Sequence, residues 1–373
     1  MIINFNIKNF GPIKEQQTLS FEAEQTNHLE DFYISKIGKY RLLKIALIYG
    51  ANASGKTTVL KALDFLRDLV LNPAEKKTEE LDFQPFLFDK KAAKENTILS
   101  IEFLQNKIKY FYEVEFCNRA VVKETLKFFN PNKATIFNRI TDLKTQFTEI
   151  KPGGKIKIAK TALKTLEANT LWNNTVLGGY LKTNIEIKEL KEVIDWFRNY
   201  LHRLVHPKSE LETFIISLID KNKIKKENVL KVLKKADLNI SNILIEEKEE
   251  DIPDGLLDLI EKSSEIPEKD FKELKSKKKI TTVKLEFEHI IEGKKYSLPF
   301  ELESQGTKRY YGFAGLLNLL LKNAAAFPID ELEASLHPDL YLHFLLSFLA
   351  NSKESQIIAT THNREILNDK DII

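Results

Sequence analysis

The stretch GANASGKT, from Gly50 to Thr57, decides how this sequence is interpreted. It has the spacing of glycine, four residues, glycine, lysine and threonine that is typical of a loop that binds phosphate. An apolar run from Leu42 to Tyr49 comes before it, and from Ser54 to Leu71 apolar residues recur at helical spacing. The order strand, loop, helix predicts that backbone N–H groups and the positive end of a helix face an anion.

The residue types within the loop predict separate roles in binding a nucleotide. Lys56 would reach the outer phosphates, and the hydroxyl of Thr57 would bind magnesium. The residues predicted to contact the nucleotide are Gly50, Asn52, Ser54, Gly55, Lys56, Thr57 and Thr58. A chance match to this short pattern is the alternative, and the flanking strand and helix argue against it.

A second stretch, AFPIDELEASLHP, places acidic residues at the end of an apolar strand. A carboxylate at the carboxyl end of a parallel strand next to a phosphate loop can hold Mg²⁺, and Asp330 has this position. The next acid, Glu331, can orient and deprotonate an attacking water, and Glu333 is a second candidate for that role. Ordinary solvated acids in front of a helix are the alternative, which the phosphate loop makes less favoured.

The third stretch, IIATTHN, is an apolar strand that delivers His362 to the same edge of the sheet. A histidine there can hydrogen-bond to the terminal phosphate and to the acid that orients water; a surface histidine is the alternative. His202 and His206 lie four residues apart on a predicted helix, without an evident third ligand. We expect those two histidines on a helix surface.

Composition limits the class of protein without deciding the function. Of 373 residues 43% are hydrophobic, which is enough for a substantial core, and the net charge of +3 does not by itself indicate a nucleic-acid-binding protein. A single cysteine, Cys117, leaves no disulfide framework or thiolate metal site, so we expect a reducing, cytoplasmic compartment. No stretch reaches the roughly 18 apolar residues of a membrane span, and we expect no membrane association.

The order of patterns along the chain predicts three segments. Alternating residues at the N-terminus and from Thr97 to Ile150 predict strands and an antiparallel meander within residues 1–150. Residues 151–279 are rich in lysine and glutamate and predict an inserted helical domain. Within residues 280–373 strands alternate with helices, which predicts a largely parallel sheet covered by helices.

Together these motifs resemble the ABC-type ATPases, and among them the soluble branch of SMC, RecF and overcoming-lysogenization-defect ATPases. In that branch the phosphate loop commonly has asparagine and serine where this chain has Asn52 and Ser54. The stretch LESQGTKRYYG resembles the signature motif as it occurs in AAA-family ATP-binding proteins of phage-defence and abortive-infection loci. Its matching residues are Ser304, Gly306, Thr307, Lys308 and Arg309.

The resemblance implies an α/β fold of the P-loop NTPase, ABC-ATPase type, with ATP and Mg²⁺ as cofactors. It implies that Ser304 and Gly306 clasp the terminal phosphate of ATP bound to another subunit, so that a homodimer or higher homo-oligomer completes each site. Ser304 also fits an ordinary helix N-cap, and both roles can hold together. For the glutamine that contacts the metal in this family, we choose Gln84.

Three functions remain open at this point. The resemblance favours an ATPase whose ATP-dependent head association controls a separate effector, a nuclease or toxin, in anti-phage defence. A DNA-repair or recombination ATPase that binds nucleic acid through the lysine-rich helices is the alternative. A nucleotide-gated scaffold with negligible turnover is the third, and Glu331 argues against it. Transport is least favoured.

Overall fold

The alternation of apolar and polar residues at the N-terminus forms a strand, as predicted. The computed structural model describes residues 1–51, 53–236, 238–252, 255, 257, 275–276 and 279–363. Strand β1 (Ile2–Lys8) buries Phe5 and Ile7 in the core. It pairs antiparallel with β2 (Gln17–Ser20) on one side and with the meander on the other.

The predicted meander is confirmed. Its strands are β6 (Thr97–Gln105), β7 (Ile108–Cys117), β8 (Ala120–Phe129), β9 (Lys133–Asp142) and β10 (Phe147–Pro152). With β1 and β2 they form a seven-stranded antiparallel sheet in the order β10-β9-β8-β7-β6-β1-β2. Short turns join the meander strands, and such turns produce antiparallel neighbours.

The parallel sheet is smaller than predicted. It contains β5 (Ile45–Ile48), β14 (Ala326–Ile329) and β15 (Gln356–Thr360), in the order β14-β15-β5. The other sheets of the described residues are antiparallel, because short turns join most of their strands, whereas parallel neighbours need long crossovers. The parallel strands nevertheless bring together the ends that precede the phosphate loop, Asp330 and His362.

The apolar run from Leu42 to Tyr49 is two strands rather than one. Strand β4 (Tyr40–Leu43) pairs with β3 (Ile34–Ile37), whereas β5 belongs to the parallel sheet. Lys44 lies between them, where its N–H donates to the carbonyl of Tyr33 and its own carbonyl accepts from the N–H of Ile357. The chain changes hydrogen-bonding partners at this residue.

The chain divides into two units, and the first comprises Met1–Ser209 and Leu319–Ile373. Its helices are α1 (Glu30–Tyr33), α2 (Lys56–Leu71), α3 (Lys160–Asn169), α4 (Val176–Leu181), α5 (Lys188–Asn199) and α9 (Pro338–Asn351). On α5, Trp196 stacks on Phe103 of the meander with 4.0 Å between the ring centroids. This aromatic face joins α5 to the first unit, although the sequence predicted residues 151–279 as a separate helical domain.

The second unit comprises Glu210–Asn318. It contains α6 (Glu212–Asp220), α7 (Lys226–Lys235), β11 (Asn242–Asp251), β12 (Lys279–Ile291) and β13 (Lys294–Pro299), and α8 (Gln305–Lys322) begins there. The three strands form an antiparallel sheet in the order β11-β12-β13. The helical prediction is wrong for β11, because its charged residues face a partner strand, as the ion pair of Glu249 with Lys279 shows.

A buried glutamine joins three sheets of the first unit. The side chain of Gln356, at the start of β15, accepts a hydrogen bond from the N–H of Ile2 at 2.6 Å. Its amide nitrogen donates to the carbonyls of Ile2 at 3.0 Å and Leu43 at 3.1 Å. The sequence pattern did not reveal this contact, because glutamine here interrupts no periodicity.

The predicted helix surface for His202 is wrong. Helix α5 ends at Asn199, and the following residues pair with β14 through parallel bridges. His202 stacks on Phe327, with 4.2 Å between the ring centroids. Burial, with a smaller contribution from the charge of Arg67, lowers the pKa of His202 to about 4.

Within the described parts of the chain, no helix is long and apolar enough to cross a membrane.

Candidate active site

The phosphate loop turns sharply between β5 and α2, and its glycines are required by that geometry. Gly55, just before α2, has φ of +89°, a conformation that residues with a Cβ rarely adopt. A Cβ on Gly50 would lie 2.7 Å from the Ser54 Oγ, which is too close. Asn52 lies outside the described residues. The loop therefore enters the helix as the spacing of glycines predicted.

Lys56 folds back over its own loop. Its Nζ donates to the carbonyls of Gly50 at 2.8 Å and Ala51 at 2.9 Å, and its side chain is buried. The ammonium is thus held beside the loop backbone, the position from which it can interact with a bound phosphate.

Thr57 and Asp330 meet as the magnesium hypothesis requires. The hydroxyl of Thr57 donates to Asp330 Oδ1 at 2.9 Å, and Asp330 is buried, with 7% exposure. A hydroxyl oxygen and a carboxylate oxygen side by side are the donors that Mg²⁺ prefers, and one or two protein ligands suffice when phosphates and waters provide the others. The residues present therefore fit the cation.

Thr360, at the end of β15, completes this cluster, and the sequence analysis missed it. Its hydroxyl donates to Asp330 Oδ1 at 2.6 Å and accepts a hydrogen bond from the N–H of Glu331 at 2.8 Å. Thr360 is almost completely buried, with 1% exposure. Its place beside His362 in ATTHN was the available signal, but threonine is also common in ordinary strands.

Glu331 and His362 lie opposite each other above the ends of the parallel strands. His362 Nε2 is 3.8 Å from Glu331 Oε1, and both side chains are nearly half exposed. Glu331 has φ of +47°, the left-handed region that is unfavourable for a residue with a side chain. Such strain is typical of functional positions that their surroundings hold in place.

Glu333 has a different role from the one considered in the sequence. Its Oε1 accepts a hydrogen bond from the backbone N–H of His362 at 2.6 Å. Together with burial, which is the larger cause, the charge of Glu333 raises the pKa of Tyr49. Glu333 therefore supports the backbone that carries His362, whereas Glu331 lies next to the imidazole itself.

Seven of the predicted site residues line a common cavity of about 450 Å³. Its walls are formed by Pro12, Ala53, Ser54, Gly55, Lys56, Thr57, Thr58, Glu331 and His362. A second cavity of about 560 Å³ shares Pro12, Ser54, Gly55 and Lys56 and extends along β1, β2 and Tyr49. The three predicted stretches, together with Pro12, therefore meet around a space next to the phosphate loop.

Gln84 does not line either of these cavities. Its side chain is exposed, and its carbonyl accepts a hydrogen bond from the N–H of Gly11 at 2.7 Å. Contact between the Gln84 side chain and a metal stays a prediction.

The signature-like stretch lies in the second unit, at the start of α8. Ser304 Oγ accepts a hydrogen bond from the N–H of Thr307 at 3.0 Å, which confirms its role as an N-cap. Ser304 is exposed and Gly306 is half-buried. Their contact with the phosphate of another subunit stays a prediction.

The two cations of this stretch interact within their own unit. Lys308 Nζ donates to the carbonyl of Glu301 at 2.7 Å. The guanidinium of Arg309 lies 4.7 Å from the ring centroid of Phe313, and burial lowers the Arg309 pKa to about 10. Neither cation is needed as a phosphate ligand to account for its position.

A glycine-rich loop that enters a helix, a lysine folded over it, and a threonine–aspartate pair at the end of a neighbouring parallel strand define a P-loop NTPase. The chain belongs to the family described as "AAA domain, putative AbiEii toxin, Type IV TA system", whose model matches residues 45–368. The resemblance to AAA-family proteins is thereby confirmed. Among curated proteins, none matches this chain significantly.

The solved structures that match this chain include heads of SMC proteins. An SMC head bound to the C-winged helix domain of ScpA is 13% identical, with a TM-score of 0.48 over 97% of this chain and 90% of that chain. The SMC head domain from Thermotoga maritima is 13% identical, with a TM-score of 0.41 over 98% and 91% of the two chains. An SMC head with an extended coiled coil, bound to the C-terminal domain of ScpA derived from Pyrococcus furiosus, is 14% identical, with a TM-score of 0.43 over 98% and 91%.

Proposed function

We propose that this protein binds Mg²⁺-ATP and hydrolyses it, with Glu331 as the general base. One observation carries the proposal: Thr57, Asp330 and Thr360 are hydrogen-bonded together beside a cavity that the phosphate loop, Glu331 and His362 share. A site that only bound nucleotide would not need an acid and a histidine facing the same space.

Each side chain of the site has a defined task in this proposal. The loop N–H groups and Lys56 bind the phosphates, and the Glu331 carboxylate accepts a proton from the attacking water. His362, 3.8 Å from Glu331, orients that carboxylate and hydrogen-bonds to the terminal phosphate. Magnesium, held by Thr57 and Asp330, would neutralise charge on the phosphate oxygens. The second cavity, lined in part by Tyr49, would hold the nucleoside.

Beyond hydrolysis itself, the proposed function is control of a partner protein by ATP-dependent association of two copies of the chain. Ser304 supports it, because this residue is exposed and its hydroxyl, at the positive start of α8, can donate a hydrogen bond to a phosphate. ATP would then connect the phosphate loop of one copy to Ser304 and Gly306 of another. The family description, which names a putative toxin of a toxin–antitoxin system, supports a role in such a system. In this proposal the partner is a separate effector, a nuclease or toxin, that acts in phage defence.

Substitution of the proposed base tests hydrolysis directly. Glu331→Gln should keep ATP binding and lower phosphate release at least about 100-fold, because the amide cannot accept the proton of water. Glu75→Gln changes an exposed acid of the same unit and should leave the rate unchanged. Undiminished phosphate release by Glu331→Gln would remove Glu331 from the role of base.

Direct nucleic-acid binding is a second candidate, and α7 favours it. Residues 221–235 contain seven lysines and one glutamate. The exposed Lys231, Lys234 and Lys235 form no ion pair with any residue that the structure describes. By contrast, sheet lysines of the same unit pair with glutamates, as Lys295 does with Glu288 at 3.0 Å. Unpaired lysines on one helix face are complementary to a phosphate backbone.

Titration of duplex DNA and RNA against salt tests this candidate. Replacing Lys231, Lys234 and Lys235 together by glutamate should weaken binding and reduce the salt slope by roughly two to three for a duplex. The matched control replaces the exposed Lys90, Lys91 and Lys94 of the first unit by glutamate, with the same change in net charge. No binding at low salt, or equal losses in both variants, would reject the candidate.

A further inference from the structure

Thr360 is the point at which the two catalytic acids are connected. Its hydroxyl donates to Asp330 Oδ1 at 2.6 Å and accepts from the backbone N–H of Glu331 at 2.8 Å. The directions of both bonds are certain, since a backbone N–H can only donate and the single hydroxyl proton is then available for the carboxylate. One side chain therefore contacts both residues.

The backbone of Glu331 depends on Thr360 for its conformation. With φ of +47°, Glu331 lies in the left-handed region, where its Cβ is crowded by its own backbone. Thr360 holds the backbone before and after the Glu331 side chain. Its hydroxyl accepts from the N–H of Glu331, and its carbonyl accepts from the N–H of Leu332 at 3.0 Å. Without these bonds the backbone can relax, and the Glu331 carboxylate would change direction.

The orientation of Asp330 depends on the same hydroxyl. Asp330 Oδ1 accepts from Thr57 at 2.9 Å as well as from Thr360. Both donors bind the same oxygen, so the carboxylate has one defined rotation and its Oδ2 is left for other ligands. Thr57 belongs to the phosphate loop, whereas Thr360 belongs to β15, so these bonds also connect the loop to the end of that strand.

We propose that Thr360 is a positioning residue that sets the direction of Glu331 and of Asp330 at once. The inference rests on the proposed hydrolysis in so far as it concerns turnover. A purely structural role would require only that the side chain fill its buried space. Valine has nearly the same shape but would leave the Glu331 N–H without its acceptor and Asp330 without one donor.

Thr360→Val and Thr360→Ser form a matched pair, because only the serine keeps the hydroxyl. The valine variant should lower kcat about 10- to 100-fold, while KM and the Kd for ATP stay within about threefold, because misdirection of the base affects the reaction more than binding. The serine variant should retain kcat within about threefold. If the valine variant does not fold, Thr360→Cys, which weakens both hydrogen bonds at similar size, gives the same comparison.

Amide hydrogen exchange, measured without nucleotide, is a second test of the role of Thr360 that does not depend on hydrolysis. Residues 330–332 should exchange faster in Thr360→Val than in the wild type and the serine variant, because the Glu331 N–H loses its acceptor. An unchanged kcat in the valine variant, or an equal loss in the serine variant, overturns the inference. If the wild-type protein shows no ATP turnover, the proposed hydrolysis is overturned instead. Unchanged amide exchange at residues 330–332 in Thr360→Val would then also reject the positioning role of Thr360.

Discussion

The phosphate-loop edge of the first unit and the signature-like stretch of the second differ in how their polar groups are arranged. At the phosphate-loop edge, Thr57, Asp330 and Thr360 come from distant parts of the sequence and hydrogen-bond to one another in a buried cluster. In the signature-like stretch, Ser304 is exposed and its hydrogen bonds go to Thr307, three residues away.

Under the proposed function, one part of the site is built by folding within one unit and the other part is open to a second copy. The phosphate-loop edge is organised by bonds within one unit before any ligand arrives, as pre-organised catalysis requires. The signature-like stretch has a folded helix start but presents Ser304 to solvent. Groups of this kind can complete the site of another copy without a change in their own fold.

The largest effect is expected at the phosphate loop. Lys56→Ala should weaken ATP binding at least about 100-fold, because the ammonium is lost from a site whose ligand carries several negative charges. Titration with a fluorescent ATP analogue measures the Kd. Lys61→Ala removes an exposed lysine of the same helix and should bind normally. Equal affinity in the two variants would contradict the assigned nucleotide site.

In the signature-like stretch, binding and turnover should separate. Ser304→Arg should leave the Kd for ATP unchanged and lower phosphate release about 100-fold, because it removes the serine hydroxyl that would contact the phosphate bound to the other copy and leaves the phosphate loop unchanged. Ser297→Arg places the same side chain at another exposed serine of that unit and should have no effect. Normal turnover by Ser304→Arg would show that the stretch does not take part in hydrolysis.

The smallest effect concerns the pH dependence of the stability of the first unit, through His202 beside the start of β14. The folded-state pKa of His202, about 4, lies below its ordinary value of 6.5, so the unfolded chain binds more protons between these values. Stability should therefore fall by about 1–2 kcal/mol as the pH decreases from 7 to 5. In His202→Phe, which keeps a ring to stack on Phe327, urea unfolding should show a smaller fall.

Much of the fold could be predicted because local patterns and tertiary structure agree. The phosphate loop, α2 and the meander follow from spacing and alternation. The division at Lys44 could not be predicted, since both halves of that run are equally apolar. The strand β11 was missed because its run of charged residues resembles a solvated helix face until its partner strand is known.

The sequence predicted which residues form the candidate site, but not the hydrogen bonds that hold those residues in place. Asp330, Glu331 and His362 follow strands whose ends meet in a parallel sheet, and that rule places them together. Thr360 and the contact of Glu333 with His362 depend on the register of β15 against β14, which pairs Ala359 with Ile329. Register is a property of two strands, so a pattern within one strand does not reveal it.

Under the proposed function, each active site combines the phosphate loop of one copy with Ser304 and Gly306 of another. The most direct test mixes Lys56→Ala with Ser304→Arg, two variants that are each inactive alone. A mixed dimer has one intact site, made from the loop of the Ser304→Arg chain and the signature-like stretch of the Lys56→Ala chain. We predict that an equal mixture recovers about one quarter of the wild-type rate of phosphate release, since half of the dimers are mixed and carry one site each. A mixture as inactive as its two components would contradict the claim.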